Sequence, residues 1–146
     1  MICRESSYEE CLPLLQKLWP DKEPIMPIDN TLGKIKFFGR DYELIKPKYF
    51  VALLSDVPVA CTHAYLTAPD EVRIRGTFCE PELRKTGIAG KLVNIAISHF
   101  PECTMAYTFP RFGVEGFYAR LGFTISSHRW PDVYKGISYA WRNLND

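Results

Sequence analysis

The spacing of apolar residues along this chain switches between helical and alternating, and each switch marks an element. Met1 to Glu5 is short and extended, after which Ser6 or Ser7 caps a helix that carries Cys11, Leu12, Leu15, Leu18 and Trp19 on one face and ends at Pro20. Residues 21–26 are rich in proline and charge, and Asp29 opens a second, weaker helix that includes Leu32, Ile35, Lys36 and Gly39. Three strand-like runs follow, Lys48 to Ser55, Pro58 to Thr67 and Glu71 to Cys79, separated by Asp56-Val57 and Ala68-Pro69-Asp70. They predict an antiparallel meander.

Between Gly87 and Phe100 the period returns to that of a helix: Ile88, Leu92, Ile95, Ala96 and His99 form a stripe that Val93, Ile97 and Phe100 widen, and Pro101 stops it. Cys103 to Phe109 reads as a strand and Val114 to Leu121 as a short helix closed by Gly122. Phe123 to Arg129 and Val133 to Arg142 are the last two strands. The order β α α β β β α β α β β predicts an α/β fold with a mixed, mostly antiparallel central sheet of about seven strands and about four helices.

Composition narrows the classes. A chain of 146 residues with 47% apolar and 24% charged residues fits one domain, residues 1–146, with a well-formed core. Eighteen Lys and Arg against seventeen Asp and Glu, without a basic run, argue against a nucleic-acid partner. Apolar stretches such as Tyr49 to Leu54 fall well short of the ~20 residues a membrane helix needs, and the N-terminus lacks a basic segment followed by an apolar one, so neither membrane nor export is expected. The five cysteines, Cys3, Cys11, Cys61, Cys79 and Cys103, are odd in number and form no C-x-x-C pair for zinc or redox chemistry. They read as reduced, mostly buried thiols of a cytoplasmic protein, with no metal site.

The segment from Gly76 to Leu92 carries the chemistry: a strand runs through a loop of small residues into a helix. The first turn of a helix leaves about four N–H donors unpaired and adds partial positive charge, so Gly87, Ala89 and Gly90 allow a pyrophosphate to approach the main chain. A Walker A loop is excluded because Lys85 stands where its first glycine would be and Leu92 where Ser or Thr follows the lysine. The dinucleotide pattern G-x-G-x-x-G is absent too.

Arg84-Lys85-Thr86-Gly87-Ile88-Ala89 matches Q/R-x-x-G-x-G/A, and Gly116-Phe117-Tyr118-Ala119-Arg120-Leu121-Gly122-Phe123 contains F-Y-x-x-x-G-F after the next strand. With these two motifs in order, the stretch from residue 48 to residue 125 resembles the GNAT superfamily of acyl-CoA-dependent N-acyltransferases. The resemblance implies a GNAT-like sheet with a V-shaped opening between its fourth and fifth strands, acetyl-CoA as co-substrate, and transfer of the acetyl group to a primary amine of a small molecule or peptide. It implies backbone contacts near Phe78 and Cys79 to the pantetheine arm, an oxyanion donor at a main-chain N–H near Cys79, and a pyrophosphate held by the amides of Arg84, Lys85, Thr86, Gly87, Ile88 and Ala89, with Gly90 in the same turn. Tyr118 takes the place of the tyrosine that serves the departing thiolate. A homodimer is left open.

The match breaks at identifiable positions. Where many relatives have Asn and Ala before the tyrosine, this chain has Arg111 and Val114, and Arg111 reads equally as a phosphate contact or a solvated loop residue. Arg73 stands where some relatives have a glutamate base; Glu71, Glu80 and His63 are the candidate replacements. Non-catalytic CoA binding is therefore the alternative function. Val72-Arg73-Ile74-Arg75 puts both arginines on one face of a strand, either as an ion-paired sheet face or as a pair that recognises an acidic group on the acceptor. Trp19, Phe37, Phe38 and Trp130 are candidates to roof the acceptor site.

Overall fold

The computed structural model describes residues 1–20, 34–37, 40–43, 45–110, 113–126 and 138–145. Its strands are β1 (Ile2–Ser6), β2 (Lys34–Phe37), β3 (Arg40–Glu43), β4 (Ile45–Leu54), β5 (Val57–Ala68), β6 (Glu71–Cys79), β7 (Met105–Thr108), β8 (Thr124–Ser126) and β9 (Tyr139–Asn143). Three α-helices, α1 (Tyr8–Leu18), α2 (Ile88–Ser98) and α3 (Glu115–Arg120), and a 3-10 turn at Pro81–Leu83 complete the described elements.

Seven strands form one sheet in the order β1-β4-β5-β6-β7-β9-β8, and β2 pairs with β3 separately. Within the large sheet β6 and β7 run parallel, while the other neighbours are antiparallel. The meander is made by tight turns: Ser55 and Asp56 both take left-handed backbone angles, φ 51° and 66°, so Leu54 pairs directly with Val57.

The expected helix from Asp29 through Gly39 is not what forms at Ile35 and Lys36, which lie in β2. Lys34 to Phe37 alternates polar and apolar residues, and the antiparallel register sets Lys34 opposite Glu43 and Lys36 opposite Asp41. This strand pairing stands where the fourth helix was expected. Residues 29–33 and 38–39 lie outside the described residues, as do 127–129 and 133–137 of the last two expected strands.

The sheet is covered on both faces. On one, Leu92, Val93, Ala96, Ile97 and Phe100 of α2 and its end pack on Phe50, Ala52, Ala60, Ala64, Val72 and Ile74. The buried stripe is thus centred on Val93 and Ile97, and His99 is exposed. On the other face Cys11, Leu14 and Leu15 of α1 meet Tyr49, Val51, Leu53, Cys61 and Phe78. Each leucine so buried is worth about 1.5–3 kcal/mol over its exposed state. Ser7 caps α1 by accepting from the Glu10 N–H at 3.2 Å.

Candidate active site: a cleft where two parallel strands part

The pairing of β6 with β7 is short. Glu71, Val72 and Arg73 face Met105, Ala106 and Tyr107, and the Thr104 N–H donates to the Asp70 carbonyl at 2.8 Å, so the strands are zipped at this end. The Thr108 hydroxyl, donating to the Ile74 carbonyl at 2.8 Å, is the last link. From Arg75 to Cys79, β6 continues with β5 on one side and no β7 partner on the other. The opening between the fourth and fifth strands of the sheet is therefore present, and a cleft of about 800 Å³ lies in it.

Strand alternation decides which backbone groups the cleft receives. The Glu80 N–H donates to the Val59 carbonyl at 2.9 Å, so Glu80 points toward β5; one residue back, Cys79 turns its N–H and carbonyl to the cleft side, and Phe78 again turns its peptide toward β5. The Cys79 carbonyl is taken by the Arg84 side chain, whose Nε donates to it at 3.0 Å. Phe78 lines the cleft and the Arg84 guanidinium lies 5.6 Å from its ring centre, while its own N–H and carbonyl turn toward β5.

The loop into α2 ends in donors without acceptors. Gly87, at the N-cap with φ 87°, offers no side chain to cap the helix, and the Lys91 N–H is the first to find a helical acceptor, Gly87 O at 3.0 Å. The N–H groups of Ile88, Ala89 and Gly90 stand ahead of it in the first turn, where no intrahelical acceptor exists. Space in front of Gly87 is open, since a Cβ there would meet nothing within 4 Å. Gly90 is different: a Cβ would come within 2.9 Å of Leu121 Cδ2, so its lack of a side chain lets α2 pack on the end of α3. The Arg84 N–H is used internally, donating to Pro81 O at 3.3 Å. Lys85 holds a left-handed φ of 68°, and the Thr86 hydroxyl donates to Leu83 O, so the turn is internally braced.

Arg84, Lys85, Lys91 and Arg120 all line the cleft, and no carboxylate or imidazole does among the described residues. The wall opposite α2 belongs to α3. Its start is pinned by Glu115, which accepts from the Gly113 N–H at 2.7 Å and from the Ser138 hydroxyl at 3.0 Å. Tyr118 is 5% exposed, lies edge-on to both Phe117 and Phe123, and still borders the cleft. Its hydroxyl is 3.3 Å from Thr77 Oγ1, which is 2.8 Å from Thr62 Oγ1. Burial pushes the Tyr118 pKa above its ordinary 10.0. The Thr77 and Thr62 hydroxyls had no signal in the sequence, because a strand threonine reads as a β-former whichever face it takes.

None of the three candidate bases borders this cleft. Glu80 is ion-paired with Lys17, Glu71 lies at the zipped end of β6, and His63 is sealed on the α1 face, stacked on Tyr49 with ring centres 5.1 Å apart. His63 closes on Gly76, where a Cβ would stand 2.8 Å from the imidazole. Its pKa is driven well below 6.5 by desolvation and then by Arg75 and Arg73, so the ring is neutral. The Cys79 thiol is raised by burial, which suits a packed side chain and not a nucleophile. Val114 lines the cleft and is 40% exposed, while Arg111, Phe38 and Trp130 fall outside the described residues.

Residues 8–123 match the acetyltransferase (GNAT) family. The chain belongs to that family. Solved structures agree on the fold. An aminoglycoside 6'-N-acetyltransferase complexed with coenzyme A superposes with a TM-score of 0.72 at 14% identity, over 97% of this chain and 94% of that one. A GNAT-family acetyltransferase from Staphylococcus aureus Mu50 gives 0.68 at 14% identity, over 98% of both chains. A third, a GNAT family acetyltransferase from Elizabethkingia anophelis with acetyl-CoA bound, gives 0.67 at 13%, over 98% and 97%. No curated protein sequence matches this GNAT chain.

Proposed function

We propose that residues 1–146 form one acyl-CoA N-acyltransferase domain that transfers the acetyl group of acetyl-CoA to a primary amine by direct attack in a ternary complex. The observation that carries this is the cleft itself. Four cations and the uncapped N–H groups of Ile88 to Gly90 line it, a complement to the pyrophosphate of CoA, and the Cys79 N–H faces the same space. In the reaction the amine nitrogen bonds to the thioester carbon, the C–S bond breaks, and one amine proton is lost as the thiolate gains one. Tyr118, protonated at neutral pH, gives the sulfur a hydrogen bond or late proton. The five cysteines are free, and no helix among the described residues is long and apolar enough to cross a membrane, which supports a cytoplasmic setting.

The lack of a carboxylate or imidazole in the described cleft lining favours a second reading, a CoA-binding module without turnover. One experiment separates them: purified protein with acetyl-CoA and a panel of amines, followed by thiol release, beside calorimetric titration with CoA. Release that requires both an amine and acetyl-CoA is the expected result. Saturable CoA binding with no release from any amine selects the second reading.

A further inference from the structure

Away from the cleft, β6 presents a charged feature on the face that α1 covers. Val72 and Ile74 enter the core under α2, so alternation places Arg73 and Arg75 on the opposite face. The Arg75 guanidinium lies 4.8 Å from the Trp19 ring centre, and that of Arg73 lies 4.9 Å from Phe109 and 5.9 Å from Tyr65. His63 is opposite Arg75 in the β5–β6 register.

Arg75 is half-buried, and loss of hydration pulls its pKa below 12.5. Among the described residues the ion pairs are Arg4–Glu10, Lys17–Glu80, Lys48–Glu5 and His99–Glu5, so no carboxylate answers Arg75. Of the other titratable groups on this face, His63 is neutral and burial raises Tyr65 and Tyr107 above 10.0, while the carboxylate of Glu71 stands at the zipped end of β6, four strand positions from Arg75. Among the described residues Arg75 therefore has no carboxylate partner. A desolvated cation is unfavourable unless an anion completes it, and a planar guanidinium braced on an indole is preorganised for a carboxylate.

This position is adjacent to the cleft. Phe78, the next residue after Arg75 to reach the α1-side cluster once Gly76 has interrupted the alternation, lines the cleft, and Leu18, which precedes Trp19, lines it too. Three residues of strand span about 10 Å. We propose that Arg75, seated on Trp19 beside Arg73, binds a carboxylate of the acceptor, so that the amines this protein acetylates are amino acids or peptides that also carry a free carboxylate. The inference rests on the acetyl-transfer reading and names its substrate class: the amine enters the cleft while the carboxylate lies past Phe78.

The test uses matched acceptors, amino acids, ω-amino acids and short peptides, each beside its own carboxamide, with thiol release from acetyl-CoA as the readout. At least one acid is expected to exceed its carboxamide in kcat/KM by roughly 10- to 100-fold, the range of a charge-assisted hydrogen bond. In Arg75→Gln that ratio falls toward one, with CoA affinity retained as the sign of a folded protein. Carboxamides turned over as well as acids by the wild type would overturn the inference and leave acetyl transfer standing. A preference undiminished in folded Arg75→Gln would overturn it as well. Should that variant fail to fold, the wild-type comparison still decides the substrate class, and Arg75→Lys, keeping the charge without the fork, is expected to retain part of the preference. No thiol release from any amine would remove acetyl transfer, and this inference with it.

Discussion

Tyr118 is both a packed ring and a cleft residue, and the two roles separate on substitution. Its ring lies edge-on to Phe117 and Phe123, whereas its hydroxyl makes a long contact of 3.3 Å to Thr77 and also meets the Thr108 side chain. Tyr118→Phe therefore keeps the packing and should cost no more than about 1 kcal/mol of stability. If the hydroxyl serves the sulfur, kcat should fall roughly 10- to 1,000-fold with CoA affinity little changed, as steady-state kinetics and CoA titration will show. Because burial raises this pKa, the donor form persists through neutral pH, and its contribution to rate should be lost only as pH climbs above 10.0. The tyrosine was legible from its motif. The two threonine hydroxyls behind it were not, since their alignment depends on the bulged β5–β6 register between Cys61 and His63.

At the scale of elements, α3 carries Tyr118 but has only six residues, too few to be stable alone. It is held from both ends: Glu115 pins its start, and Arg142 of β9 closes the far end, donating to Leu121 O and to Asn94 Oδ1 of α2, both at 2.9 Å. The same guanidinium lies 5.5 Å from the Phe123 ring, and burial lowers its pKa. Arg142→Ala should therefore lower unfolding free energy by about 1.5–3 kcal/mol, read from urea denaturation. Turnover should fall further than stability alone explains, because the wall bearing Tyr118 loosens. The helices themselves were readable from period and caps. The β2–β3 hairpin was misread because the apolar residues near Ile35 suit either period over so short a run, and only the pairing of Lys34 with Glu43 and Lys36 with Asp41 separates them.

For the molecule as a whole, the sheet has a buried imidazole built into it. His63 is 2% exposed, and neither ring nitrogen has a hydrogen-bond partner among the described residues. Its folded pKa is depressed, so the unfolded chain binds the proton first. Stability from this group is thus complete above 6.5 and is lost as pH falls below it, at about 1.4 kcal/mol per pH unit until the folded pKa is reached. Urea midpoints measured from pH 7.5 to 5 should decline for the wild type. His63→Phe, which leaves a ring beside Tyr49, should flatten that part of the curve.

The sequence determined the order of the elements from β4 to α3, the strand-to-helix turn at Arg84 to Ala89 and the tyrosine motif, because each is written in residues close enough to read together: period, caps, glycines and short spacings. It also put Arg73 and Arg75 on one face, since strand alternation is local. Only the tertiary structure decided that Glu80 is held by Lys17, that His63 is sealed beneath Gly76, and that Arg75 rests on Trp19 without a carboxylate among the described residues. The partners in those contacts lie between 13 and 63 positions apart along the chain. Whether such residues meet is set by sheet register and by how α1 docks, and neither leaves a trace in the neighbouring sequence.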